Sequence, residues 1–390
     1  MALLYTAGML AAFQYAKIPF MLPGLLQQMD ISPVQQAMVL SIIGVLGAAA
    51  GTFAGAVCLR LGLRRTLLAG LAVGVAGSLL PLISDSYGLL LLARVVESLA
   101  HMAIVVAVPT LILSLCPPAV QPKAMALWSC YFTLTFIIAA CLVPPVMQAA
   151  GWRGVAWGHA ALMVVAGVLC LGWVKADQLS APSTQLTVSG LWASQWRLLS
   201  QLKLLAIPAT FFGYTLLFVA LVSVLPKLLS TTPSALAMWA MALPLASLAG
   251  TLVAMTALNL GMQGYQLVRL SAAAMVLAGL VLLILPQYVL AAQSTVVIVF
   301  VLLGTLPAGI VSSIPTLFAA DDPDVALVNG GLVQFGNLGN LVGSPILAAM
   351  LVQLGWVSIG VYLMAGALIT CMGLLLLRRL VLLAAPPHRS

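Results

Sequence analysis

The sequence predicts an all-α polytopic membrane protein with 12 transmembrane helices in two pseudo-symmetric six-helix halves. Of its 390 residues, 63% are hydrophobic and only 6% are charged, and the mean hydropathy is +1.20. A soluble domain carries roughly 25% charged residues, so this composition excludes a water-soluble fold. The abundance of apolar residues also excludes intrinsic disorder. At about 20 residues per membrane-spanning helix, little of the chain is left for a domain outside the membrane.

Apolar stretches bounded by charged, proline or turn residues give the predicted spans in order. They lie at 3–26, 34–59, 66–84, 88–115, 124–148, 153–174, 204–226, 235–258, 268–286, 291–319, 325–352 and 356–378. The first stretch has no basic segment before it, and Lys17 interrupts its apolar run. We therefore interpret it as a retained first helix rather than a signal peptide.

The distribution of Lys and Arg supports this count and predicts an orientation. With a cytoplasmic N-terminus, the outer loops hold only Arg153 and Lys227, whereas the inner loops hold Arg60, Arg64, Arg65, Lys123, Lys175, Arg197, Lys203, Arg269, Arg378, Arg379 and Arg389. Basic residues resist translocation, so loops rich in them stay on the cytoplasmic side. We expect both termini to be cytoplasmic, in a bacterial cytoplasmic (inner) membrane.

The longest polar interval divides the chain into an N-terminal half at 1–174, a cytoplasmic linker at 175–203 and a C-terminal half at 204–390. The second part of the linker is predicted to form an amphipathic helix on the inner surface, with apolar residues Leu191, Trp192, Trp196, Leu198 and Leu199. Two six-helix halves joined in this way are typical of transporters that hold their substrate between the halves near the bilayer midplane.

A short motif follows the second span and carries a family resemblance. Gly55, Arg60, Gly62, Arg64 and Arg65 match the signature loop G-x-x-x-D-R-x-G-R-R of the major facilitator superfamily, which the chain resembles in topology over its whole length. The acidic position is occupied by Leu59, and one spacer residue is extra. In the family this loop latches the inner gate, so the resemblance implies a gating role for the matching residues and a latch that differs from the usual one.

Further segments indicate a branch of this family. The stretch from Arg94 to His101 is similar to the family's second motif, and Gly151-Trp152-Arg153 precedes the sixth span. This combination resembles the branch of cyanate and nitroimidazole permeases and also organic-anion carriers. The antiporter motif of drug exporters is missing, since residues 124–148 contain no glycine.

Charged side chains at bilayer depth usually face a cavity or a partner, because an isolated charge there costs at least a few kcal/mol. Lys17 follows Gln14 by about one helical turn, and Pro19 and Pro23 come next. We predict that Lys17 and Gln14 bind a substrate and that Lys17 contacts its negative group. The alternative is a structural Lys17 that pairs with Glu97 or reaches the membrane interface.

The fourth span places Arg94, Glu97 and His101 along one helical stripe. Arg94 is predicted to hold a substrate anion, Glu97 to exchange a proton, and His101 to relay it. Burial disfavours the charged form of a carboxylate, whereas a nearby Arg favours it. Binding of substrate would shift the balance between these two effects and so control the proton on Glu97. An internal Arg94–Glu97 ion pair and a hydrogen-bonded packing role for His101 are the alternatives.

Amides and aromatic residues supply the remaining predicted contacts. The eleventh span interleaves amides with glycines, which favours close helix packing, and we predict that Gln334 and Asn337 also contact substrate. In this superfamily spans five and seven line the cavity, which implies substrate contacts for Trp128, Tyr131 and Tyr214. Aromatic residues at helical spacing are otherwise usually core residues.

The leading functional hypothesis is a secondary active transporter that works by alternating access and proton symport. It would import a small organic anion or polar metabolite. The alternatives are efflux of drugs or a siderophore-like metabolite, and a membrane enzyme or sensor. An enzyme would require a clustered nucleophile or metal set, which the sequence does not offer. We expect a monomer in the lipid bilayer that binds protons and a small molecule, with no enzymatic activity, cofactor, metal or nucleic acid.

Overall fold

The computed structural model describes residues 1–26, 33–83, 86–173, 188–285, 288–319, 322 and 324–384. Its regular structure is helical throughout these ranges. The first half of the chain forms α1 (Ala2–Ala16), α2 (Ile18–Leu26), α3 (Pro33–Ser41), α4 (Ile43–Leu61), α5 (Leu63–Leu79), α6 (Tyr87–Leu115), α7 (Gln121–Trp128) and α8 (Tyr131–Trp173). The second half begins with α9 (Val188–Ser200), which lies within the predicted linker.

The remaining helices follow α9 and are joined by short connections. They are α10 (Leu202–Leu229), α11 (Pro233–Asn259), α12 (Gly264–Ile284), α13 (Leu290–Val311), α14 (Ile314–Leu317), α15 (Asp324–Leu354) and α16 (Val357–Ala384). Residues 175–187 of the predicted linker and Arg389 lie outside the described residues, so the boundaries of the two halves stay predictions.

The helices agree with the predicted twelve spans. Ten helices in the described residues are long and apolar enough to cross a membrane. One of them, Lys123–Trp173, is 51 residues long, and it contains the predicted spans five and six. The first span is divided between α1, with 15 residues, and α2, with 9 residues. Large apolar side chains such as Leu162, Val168 and Leu277 are exposed on the bundle surface, as expected of groups that face lipid.

Local backbone features explain the two places where helix and span differ. The break between α1 and α2 falls at Lys17, just before Pro19, which has no N–H to donate to the preceding turn. In α8 the chain turns sharply at Gly151, where φ is +65°. This left-handed conformation suits glycine, and it separates the fifth span from the sixth.

The two halves pack closely through α4 and α15. At Gly55 a β-carbon would lie 2.6 Å from the carbonyl oxygen of Ala326, and at Gly51 it would lie 2.6 Å from the backbone nitrogen of Gln334. We call this contact the glycine seam. It extends to Gly44, which faces Asn337 and Leu341. Small residues at such spacing allow helix backbones to approach within a membrane.

The glycine seam belongs to one side of the bundle. With twelve crossings, α1 begins on the same side as the linker helix α9, and we call it the linker side. On this side Ala126 of α7 packs with Ala254 of α11 and Ala308 of α13, and α7 also contacts α14. The described contacts therefore close the space between the halves at the linker side.

Candidate substrate cavity and buried charge cluster

A cavity lies between the halves, near the middle of the bundle. Helices α6, α7 and α8 line it from one half, and α10, α13 and α15 line it from the other. None of its described lining residues is Asp, Glu, Lys or Arg. The polar lining side chains are His101, Trp128, Ser129, Tyr131, Tyr214, Thr215, Asn329, Asn337 and Asn340.

Stacked aromatic rings form a large part of the cavity wall. Trp128 and Tyr131 stack with ring centroids 4.2 Å apart and an interplanar angle of 13°. On the opposite half, Tyr214 packs against Phe211 at 5.3 Å and Phe218 at 5.6 Å. The structure thus places all three predicted aromatic residues, Trp128, Tyr131 and Tyr214, in the cavity lining.

The amides of α15 lie between the cavity and the N-terminal half. Asn337 lines the cavity, and its Oδ1 accepts a hydrogen bond of 2.6 Å from the Tyr15 hydroxyl. Asn329 also lines it and donates to Thr110 Oγ1 at 3.2 Å. Gln334 accepts from the Thr52 hydroxyl within the glycine seam and is not among the lining residues. These amides connect the halves across the wall of the cavity.

His101 joins the cavity to the first span. Its Nδ1 lies 3.0 Å from the Ala11 carbonyl oxygen. A carbonyl oxygen can only accept, so Nδ1 carries the proton and a neutral ring keeps Nε2 as an acceptor. The ring also packs edge-on against Tyr15, with centroids 4.9 Å apart. His101 is therefore held in one orientation while it lines the cavity.

Lys17, Arg94 and Glu97 form a buried charge cluster inside the N-terminal half. Glu97 Oε1 lies 2.6 Å from Lys17 Nζ, and Glu97 Oε2 accepts from Arg94 Nη1. All three side chains are at most 3% exposed. Ionised together, they carry a net charge of +1, because one carboxylate faces two cations.

The rest of the charge cluster consists of hydrogen bonds to the first, second, third and sixth spans. Lys17 Nζ lies 3.0 Å from Ser78 Oγ and 2.9 Å from His159 Nδ1. His159 Nε2 in turn lies 3.0 Å from the Leu10 carbonyl oxygen, so that nitrogen donates. Arg94 donates to the carbonyl oxygens of Val39, at 3.1 Å, and Gln14, at 2.8 Å. These bonds fix both cations away from the central cavity.

The predicted substrate roles of Lys17, Arg94 and Gln14 stay predictions, and in the described conformation none of these residues lines the cavity. Gln14 is fully buried, and both polar atoms of its amide are without a hydrogen-bond partner in the described part of the chain. The alternative interpretation of Lys17, pairing with Glu97, matches the observed contacts.

The residues of the signature loop lie at the linker-side end of α4 and the start of α5. Gly55 is part of the glycine seam. Gly62 separates the two helices with φ of +88°, and Arg64 Nη2 donates to the Leu171 carbonyl oxygen at 2.8 Å. Arg60 and Arg65 are exposed. The Leu59 side chain lies outside the described part of the structure.

Several cavity residues were not predicted from sequence. Asn329 and Asn340 belong to the amide series of the eleventh span, but the helical spacing did not show which amides reach the cavity. Tyr15, which bonds the lining residue Asn337 but does not itself line the cavity, carried no signal beyond its position between Gln14 and Lys17. Its contact with Asn337 joins residues 322 positions apart in sequence, which single-sequence patterns do not reveal.

Two halves with a cavity between them define a class of membrane transport protein. The chain belongs to the Major Facilitator Superfamily, whose family model matches residues 4–327. It is 30% identical over 149 residues to the inner membrane transport protein YajR of Escherichia coli (strain K12). That match covers 37% of this chain and only 32% of the relative. The predicted cyanate and nitroimidazole permease branch stays a prediction.

Solved structures of the same superfamily share the fold over nearly the whole chain. The transporter FucP in the outward conformation has a TM-score of 0.78 at 14% identity, with 97% of this chain and 98% of that chain covered. The human organic anion transporter MFSD10 (TETRAN) has a TM-score of 0.77 at 16% identity, with 96% and 98% covered. The proton:xylose symporter XylE has a TM-score of 0.78 at 12% identity, with 97% and 94% covered.

Proposed function

We propose that this protein is a proton-coupled secondary active transporter for a small polar metabolite with a flat apolar part. The cavity between the halves carries this proposal, because it combines stacked aromatic rings with amide and hydroxyl groups. A flat apolar group would pack against Trp128 and Tyr131, and its polar groups would bond Asn337 and Asn340. The absence of Asp, Glu, Lys and Arg among the described lining residues favours an uncharged substrate or an amphiphile.

The linker side is proposed to be cytoplasmic and the described conformation to be outward-facing. The excess of basic residues in the predicted inner loops supports this orientation, and YajR is named as an inner membrane protein. Closure of the glycine seam at the linker side then corresponds to a closed inner gate. Alternating access would open this seam and close the opposite side.

The buried charge cluster is proposed to couple protons to this movement, with Glu97 as the proton acceptor. A proton on Glu97 breaks two ion pairs at once and leaves Lys17 and Arg94 without a counter-charge. Such a state is favourable only where water or another anion reaches the cations. Protonation would therefore favour a rearrangement of the first and fourth spans. His101, which lines the cavity and lies one helical turn from Glu97, would pass this change to the cavity.

A small organic anion, as predicted from sequence, is the second candidate substrate. The observation in its favour is His101, since a protonated ring would give the cavity wall a positive charge. Lys17 and Arg94 would contribute only after the charge cluster opens. Binding of anions that depends on His101 or Lys17 would separate this candidate from the uncharged substrate.

Replacing Trp128 with Ala is expected to weaken substrate binding by about 1–3 kcal/mol, since it removes one side of the aromatic stack. The measurement is the Tm of purified protein against a panel of anions, cations, neutral aromatic compounds and amphiphiles. A ligand at 100 times its Kd adds about 2.7 kcal/mol of stability, and the variant should lose much of this increase.

The matched control is Trp173→Phe, because Trp173 is 81% exposed at the end of the sixth span. It should keep the full increase in Tm. Stabilisation by anions that disappears in Lys17→Ala but persists in Trp128→Ala would contradict the uncharged substrate and support the anion. Stabilisation by lipophilic cations alone would favour drug export.

A further inference from the structure

We propose that α9 is a membrane-anchored clamp, whose exposed apolar stripe inserts into the lipid interface while its contacts with α4 and α15 hold the inner gate closed. The partner is the phospholipid surface of the leaflet on the linker side. This inference goes beyond the proposed substrate transport. Its gating part rests on the proposed alternating access, whereas the lipid contact does not.

Helical geometry divides α9 into distinct faces. At 100° per residue, Leu191, Ser194, Gln195 and Leu198 share one face, and these four are buried or half-buried. Trp192, Trp196 and Leu199 form a second stripe that spans about 60° of the helix circumference. These three are 63%, 72% and 44% exposed, respectively.

Helix α9 contacts both halves of the protein. Leu198 is fully buried, and a β-carbon at Gly331 of α15 would lie 3.1 Å from its methyl carbons. Arg197 Nη2 forms an ion pair of 2.9 Å with Asp324, the first residue of α15. On the other half, Trp192 packs edge-on against Phe53 of α4, with centroids 5.6 Å apart. One helix thus contacts both α4 and α15 beside the glycine seam.

The exposed stripe has the composition of a membrane-interface contact. Trp is enriched where a membrane meets water, because its ring is apolar and its N–H is polar. One residue, Gln201, separates α9 from α10, and α9 contacts the first turn of α15 through Asp324. Helix α9 therefore lies at the ends of the spans. An in-plane helix at this depth buries its apolar face among lipid headgroups and acyl chains. The side of α9 that carries Gly190 and Arg197, which are both exposed, then faces water.

This arrangement makes the opening of the inner gate depend on the contact between α9 and the membrane. Separation of α4 from α15 requires α9 to lose its contact with Phe53 or with Asp324. As long as the tryptophans stay in the interface, α9 is held beside both helices, which favours the closed seam. The helix that α9 contacts, α4, also carries Leu59 at the acidic position of the signature loop.

The lipid contact is tested by fluorescence in phosphatidylcholine–phosphatidylglycerol vesicles. A bimane probe is attached at Trp196→Cys or at the control position Gly190→Cys, which is exposed and lies about 120° around the helix from Trp196. The full-length protein has Cys116, Cys141 and Cys371 replaced by Ala. Brominated lipids should quench most of the fluorescence at position 196 and little at position 190. Equal quenching at both positions, or none at either, overturns the lipid anchor.

The clamp is tested separately by maleimide labelling of Thr52→Cys, a seam residue that is fully buried in the described conformation. Arg197→Ala should increase the labelling rate roughly two- to fivefold, the range that one surface ion pair can supply. The control Ser200→Ala, at an exposed position at the end of α9, should not change it. An unchanged rate in Arg197→Ala overturns the clamp, and neither assay depends on substrate transport.

Discussion

Replacing Glu97 with Gln is expected to lower the free energy of unfolding by about 3–5 kcal/mol, the cost of removing one partner from a buried ion pair. Lys17 and Arg94 both bond this carboxylate. In the variant they remain buried with two positive charges and no counter-charge. The measurement is the Tm of detergent-purified protein, which should fall strongly in this variant.

Lys17→Met is the matched control for this prediction. Met has a side chain of similar length to Lys but no charge, so this variant leaves Arg94 and Glu97 as a balanced ion pair. The loss of stability should therefore be clearly smaller than in Glu97→Gln. A third variant, Asp324→Asn, breaks the ion pair between Asp324 and Arg197. The Arg197 side chain is 49% exposed. It should cost about 0–1 kcal/mol. Equal losses in Glu97→Gln and Asp324→Asn would contradict the charge cluster.

Replacing Gly51 with Leu is expected to prevent closure of the glycine seam. Its β-carbon would lie 2.6 Å from the backbone nitrogen and 2.8 Å from the α-carbon of Gln334, and backbone atoms cannot move aside as a flexible side chain can. The helices must separate, which removes the Thr52–Gln334 hydrogen bond and exposes the linker side of the cavity.

This separation can be measured with Ser129→Cys, a variant at a cavity position. The maleimide is added from the linker side, in inside-out vesicles, and the labelling rate of the cysteine is recorded. Labelling should become at least tenfold faster in the Gly51→Leu background, which corresponds to about 1.4 kcal/mol. The control is Gly167→Leu, because a β-carbon at Gly167 meets nothing within 4 Å among the described residues. Identical labelling in both backgrounds would show that the seam is not the gate.

The fold was predictable because membrane insertion depends on composition and length. Apolar segments and the bias of basic residues predicted twelve spans, and the structure confirmed the superfamily fold. The sharp turn of α8 at Gly151 falls between the predicted fifth and sixth spans. The position of the break in the first span, at Lys17, was not predicted. It depends on how the residues around Pro19 pack against neighbouring helices, which hydropathy does not report.

The candidate site was predictable only in part. Helix membership placed Trp128, Tyr131, Tyr214 and Asn337 in the cavity wall. The helical spacing did not show which side of each helix faces the cavity. Gln334 was therefore expected at the cavity, but it lies in the glycine seam.

The contacts of the charged residues were harder to predict, because the same sequence spacing was compatible with both interpretations of Lys17. Only the tertiary structure shows that its ammonium meets Glu97, Ser78 and His159 within one half.

Transport in proteoliposomes is the most direct test of the proposed mechanism. The probe is the compound from the binding panel that raises Tm in wild type and not in Trp128→Ala. We expect its accumulation against a concentration gradient when a proton gradient is imposed, and loss of accumulation with a protonophore. Movement of the compound at the same rate with and without the gradient would contradict proton coupling, and no movement at all would contradict transport through this cavity.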